Sequence, residues 1–115
     1  MPSNEKKWEE ILKWCGITII PHIGRYSIGF YSWVEYQKDG VRIHEPKLTL
    51  DNLFKYAVPH VITTDSYSLE LIYTISHCEA HIRPHYTEDK HYSATSDKDK
   101  PEFAILNAIY KKKRE

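Results

Sequence analysis

Glycine and cysteine are both scarce in this chain, with four and two respectively in 115 residues. Gly16, Gly24, Gly29 and Gly40 build no phosphate cradle. The nearest approach, GRYSIG at 24–29, lacks the Lys-Ser/Thr that a nucleotide loop requires. Cys15 and Cys78 form no framework of paired spacings, which points to a reducing, cytoplasmic setting. No apolar run approaches the ~20 residues of a membrane span, and MPSNEKKWEEILKW has no apolar core of signal-peptide type. An excess of one charge is missing too. Sixteen basic side chains balance sixteen acidic ones, which argues against non-specific binding to nucleic acid or a membrane surface. The carboxylate pairs Glu9/Glu10, Glu88/Asp89 and Asp97/Asp99 sit in helix flanks or turns, where solvation or capping explains them.

What is present suggests a single domain spanning residues 1–115. A hydrophobic fraction of 41% with nine tyrosines and three tryptophans is enough for a folded core. Trp8, Ile11, Leu12 and Cys15 repeat at helical spacing. Ser3 or Asn4 can cap the start and Gly16 the end, so the first helix covers about 4–15. Alternation then predicts a long strand from Tyr26 to Tyr36, closed by the Asp-Gly turn at 39–40 and a short return strand at 41–43. GITIIPHIG ahead of it can hold an extended piece, but Pro21 makes it a poor central strand. Leu50, Leu53, Phe54 and Ala57 predict a second helix over 50–58, ended by Pro59. Strands follow at 68–77, 80–86 and 91–95, with a turn at TEDK. Asp99, Pro101 and Glu102 open a last helix that runs to KKKRE. The order is α-β-β-α-β-β-β-α. The expected fold is α+β, a three-layer α/β/α sandwich with a mostly antiparallel sheet. Aromatics on both sides of the long strand predict two covered faces.

The segments ILKWCGITI (11–19), DNLFKYAVPHV (51–61) and YSATSDKDKPEFAILNAIYK (92–111) resemble, in that order, the first, middle and last helical parts of the phage ABA sandwich domain. The resemblance implies a three-layer fold and a phage, prophage or mobile-element origin, and it carries over no catalytic residue. The tail KKKRE departs from that family's pattern. Residues 49–113 alone run α-β-β-β-α, the order of double-stranded-RNA-binding domains. Those place a lysine-rich helix start on phosphate. Here that start reads SDKDKPEFA, and the lysines come at 111–113, where the helix dipole is negative.

Four of seven histidines and one cysteine fall in SHCEAHIRPHYTEDKH, 76–91. Zinc wants four His or Cys ligands at short paired spacings. If the segment is extended, His81 and His85 lie ~13 Å apart, too far to share an ion. A metal site would then have to combine His77 and Cys78 with a distant partner such as His60 or His91, with zinc as the candidate ion. The competing reading is a solvated strand face carrying His81, Arg83 and His85, and a protein with no cofactor. Cys78 as a nucleophile has no local signature behind it. The aromatics Tyr26, Tyr31, Trp33 and Tyr36, with Arg25 at their border, are core if both faces are covered. If one face is open they form a partner-binding patch. The expected function is a small non-enzymatic binding protein with an unassigned macromolecular partner. The alternatives are a metal-binding protein or metal-dependent enzyme using the His/Cys cluster, and a double-stranded-RNA-binding-like module.

Overall fold

The computed structural model describes residues 2–64, 67–85 and 90–114. Its first helix, α1 (Asn4–Trp14), begins where the Ser3 hydroxyl accepts the Lys6 N–H, and it leaves through Gly16 at φ 92°. Only glycine takes that left-handed angle without strain. Three antiparallel strands follow: β1 (Ile17–Tyr26), β2 (Gly29–Lys38) and β3 (Val41–Ile43). Helical backbone then runs through 50–64 as α2 (Leu50–Asn52), a π turn (Leu53–Ala57) and α3 (Val58–Thr64). A second antiparallel sheet, in the order β4 (Tyr67–Tyr73), β5 (His77–Pro84), β6 (Tyr92–Asp97), precedes α4 (Pro101–Arg114).

The chain is therefore α+β, as expected, with one strand more than expected before the second helix. The predicted long strand from Tyr26 is broken by a reverse turn at Ser27–Ile28, so that Tyr26 ends β1 and pairs with Gly29. Ile17–Tyr26 forms a full strand despite Pro21, because β1 lies at the sheet edge, where a missing N–H costs no ladder bond. Pro59 does not end the second helix. The Val58 N–H reaches back to the Leu53 carbonyl, and this wider turn puts Pro59 in the first turn of α3, where its N–H is not required. The expected TEDK turn lies largely on residues 86–89, outside the described ones.

The core explains why the two sheets differ. On β5 the alternation is strict: Cys78, Ala80 and Ile82 are buried, while His77, Glu79, His81 and Arg83 face the other way. The buried side belongs to one core with Ile105, Leu106 and Ile109 of α4, Leu53, Ala57 and Val61 of the 50–64 stretch, and Trp8, Ile11 and Leu12 of α1. Full burial of each large aliphatic side chain stabilises the fold by roughly 1.5–3 kcal/mol. Of the helices, α4 and α3 lie against the second sheet, and α1 packs on α4 and β1. Among the described residues the strands form two three-stranded antiparallel sheets, where one sheet was expected. The first sheet adds one buried residue, Ile17, with Ile19, Tyr36 and Ile43 resting partly on the core. The remainder of the β1–β2 hairpin extends outward as an arm. The radius of gyration of 16.5 Å and the 59 Å long axis record it, because a globule of this length has a radius of about 13 Å.

Candidate functional site

Register fixes which arm residues share a face. Pairs Ile19–Tyr36, Pro21–Val34, Ile23–Ser32 and Arg25–Phe30 lie on one side. Ile20–Glu35, His22–Trp33, Gly24–Tyr31 and Tyr26–Gly29 lie on the other. The sequence grouping of Tyr26, Tyr31, Trp33, Tyr36 and Arg25 is therefore split: Tyr26, Tyr31 and Trp33 are together, while Arg25 and Tyr36 are opposite them. Tyr36 is at the base, partly buried against the core. The expectation of two covered faces fails for the distal half. Ile28 at the tip is 97% exposed, Ile23 78%, Phe30 76% and Tyr26 61%.

The second of these faces is ordered by its own contacts. Trp33 stacks on His22 with ring centroids 4.1 Å apart and an interplanar angle of 13°. Arg42 lies 5.5 Å over the Trp33 ring. The Tyr31 ring covers Gly24 and meets Tyr26 at 4.6 Å. Glu35 anchors the row: its carboxylate accepts from the Gln37 amide at 2.5 Å and meets His22 Nε2 at 2.9 Å. These bonds, Gln37 first and then His22, hold its carboxyl below the usual carboxylate range. On the first face, Arg25 lies 5.9 Å over Phe30. Each cation sits above an aromatic ring that water also reaches. The arm is thus a preorganised surface of aromatic and aliphatic side chains, without a nucleophile–base pair.

The histidine segment resolves differently from its sequence reading. His77 and Cys78, adjacent on β5, point to opposite faces. The Cys78 thiol lies on the helix side, 3.0 Å from Ser96 Oγ and 3.5 Å from the Asp97 carbonyl oxygen. His60 packs edge-on against Trp14 at 4.6 Å. His85 is exposed beyond the end of β5. The set His77, Cys78 and His91 is therefore not brought together. Among the described residues no three His, Cys, Asp or Glu side chains are placed to hold a metal ion.

The open face of the second sheet instead carries a chain of contacts. Glu79 takes His77 Nε2 on one oxygen at 2.8 Å and His81 Nε2 on the other at 2.9 Å. His81 Nδ1 meets His91 Nε2 at 3.0 Å. The two histidine bonds, His77 first, lower the Glu79 carboxyl. Arg83 pairs with Glu70 at 3.2 Å beside them. Sequence spacing missed the approach of His81 and His91 because they lie on different segments, and the β5–β6 register, with His81 facing Ser93 and Ile82 facing Tyr92, sets their distance. No helix among the described residues is long and apolar enough to cross a membrane. No protein-family model, curated protein or solved structure matches the chain.

Proposed function

We propose that the chain is a non-enzymatic binding protein that engages a protein partner through the distal half of the β1–β2 arm. The observation that carries this is the exposure of Ile23, Tyr26, Ile28 and Phe30 on both faces and at the tip of one projecting hairpin. Leaving so many large apolar side chains in water on one element costs solubility, and contiguous patches of this kind are characteristic of interaction sites. Tyr, Trp and Arg, the residue types that dominate interface energetics, are gathered there as Tyr26, Tyr31, Trp33 and Arg25. Because both faces are apolar, the fitting partner is a cleft that closes around the arm. The mobile-element origin implied by the family resemblance belongs to the same proposal.

The helical tail supports a protein partner over a nucleic acid. Residues 50–114 do run in the order of double-stranded-RNA-binding domains, but the tail lysines are engaged within the chain. Lys111 Nζ donates to the Ser93 carbonyl at 2.6 Å, Lys112 sits 4.5 Å over the Tyr67 ring, and Lys113 lies 3.8 Å from Glu10.

A photo-crosslinking residue placed at position 28 or 30 should yield a discrete protein adduct in cells that naturally express the chain. The same group at Ile75, which is exposed in the turn between β4 and β5, should not. Adducts of equal yield at all three positions, or none at 28 and 30, would remove the arm as the binding site.

A further inference from the structure

The open face of the second sheet carries a site that does not depend on the arm. His81 belongs to β5, with its side chain 14% exposed, and His91 immediately precedes β6. Their facing nitrogens, Nδ1 and Nε2, are 3.0 Å apart. Two nitrogens in adjacent positions of a square-planar metal, with bonds of about 2.0 Å, lie about 2.8 Å apart; in a tetrahedral site the spacing is about 3.3 Å. The observed 3.0 Å lies between the two and is also an ordinary hydrogen-bond length, so it puts both rings within reach of one ion without selecting its geometry.

The tautomer is set as well. Glu79 accepts at His81 Nε2, so the neutral His81 ring carries its proton there and presents a lone pair at Nδ1. A carboxylate behind a ligating histidine orients the ring and raises its basicity, the recurring second partner of metal-bound imidazoles. In the metal-free chain His91 Nε2–H fills that lone pair as donor. For both rings to bind, His91 must move its proton to Nδ1 and swing from the hydrogen-bond line to aim at a shared ion. Its exposed position leaves room for this. We propose that His81 Nδ1 and His91 Nε2 form a two-imidazole site for a divalent transition-metal ion with high affinity for imidazole, Cu(II) foremost, with water completing the coordination.

The surrounding charges are mixed. Glu79 lies behind His81. Arg83 opposes a cation, but Glu70 pairs with it at 3.2 Å. Lys111 and Arg114 line the cleft beside His91, and Lys111 is held by the Ser93 carbonyl. The site therefore suits an ion that binds through nitrogen lone pairs, and suits poorly a hard cation such as Mg(II), which selects oxygen ligands.

Titration of the full chain with Cu(II) in a weakly chelating buffer, followed by the copper visible absorption band, should reveal one saturable site per chain. Its electron paramagnetic resonance should carry the hyperfine pattern of two coordinated imidazole nitrogens. His91→Gln keeps an exposed polar side chain and should abolish saturation over the same range. Glu79→Gln should weaken binding about tenfold or more, through His81. His85→Gln, outside the pair, should leave the curve unchanged. A wild-type chain without a saturable site, a spectrum of a single imidazole, or a His91→Gln curve equal to wild type would each overturn the assignment.

Discussion

At the scale of single residues, Gly24 is the position where the arm is most closely constrained. A Cβ built there falls 1.9 Å from Tyr31 Cζ, so the ring lies where any other side chain would be. A tyrosine laid over a cross-strand glycine shields the bare backbone and fixes register. Gly24→Ala should expel Tyr31 and break its contact with Tyr26, seen as loss of near-ultraviolet tyrosine dichroism. Stability should change by only about 0.5 kcal/mol, the usual range for exposed sites. The thiols give a second expectation. Cys78 is fully buried, and burial pushes the Cys15 thiol up from 9.0 to about 11 against a smaller opposing effect of Lys38. At pH 8 the Cys15 thiolate is then about a hundredfold scarcer than in an ordinary cysteine, so alkylation of the native chain should be slow and should accelerate in denaturant. The sign for stability follows. The unfolded thiol ionises from pH 9 while the folded one stays neutral to about 11, so folding weakens above pH 9. That Cys15 completes an apolar helix face was legible in the helical spacing alone. That Cys78 turns away from His77 was equally contained in the alternation of β5, since neighbours on a strand face opposite sides.

At the scale of elements, turn chemistry was readable and proline misled. Asp39 and Gly40 have φ of 54° and 78°, the paired positive angles of the hairpin turn that Asp-Gly favours. Gly40→Val should cost about 1–3 kcal/mol of stability, because a β-branched residue resists that angle, and chemical denaturation would measure it. Pro21 and Pro59 carry the same chemistry in different surroundings. Pro21 is an edge-strand residue, and whether a strand lies at an edge depends on the whole sheet. It also blunts that edge against pairing with another chain. Pro59 is absorbed by the π turn before it, an adjustment that no local spacing announces. If Pro59 fits the first turn of α3, Pro59→Ala should alter stability by less than about 1 kcal/mol; a loss of several would mean that the proline itself holds the π turn in place. The Ser27–Ile28 turn, missed because Tyr26–Tyr36 alternates without a break, shows how an apolar loop can be mistaken for strand.

At the scale of the whole molecule, the hairpin's base and its distal half have different duties. Stability resides where α1, the 50–64 stretch, β5 and α4 meet, and the distal arm shares none of that burial. Helical periodicity made most of this core legible. The projection of the arm was not, because aromatic alternation is the same on a covered strand and on a bare one. Replacing residues 21–34 by an Asn-Gly turn would join Ile20 to Glu35, which already face each other across the ladder. The shortened chain should keep its cooperative thermal transition within about 4 °C of wild type, less than the effect of ~1 kcal/mol for a domain of this size. Its radius of gyration by small-angle scattering should fall from 16.5 Å towards the ~13 Å of a globule. Ile82→Ala, in the full-length chain, should do the reverse. It should leave the dimensions of the native state unchanged and cost about 2–5 kcal/mol, because Ile82 is wholly enclosed. A truncated chain that fails to fold would mean that the arm braces the core. In that case the exposed aromatics would have to be explained by folding and not by recognition.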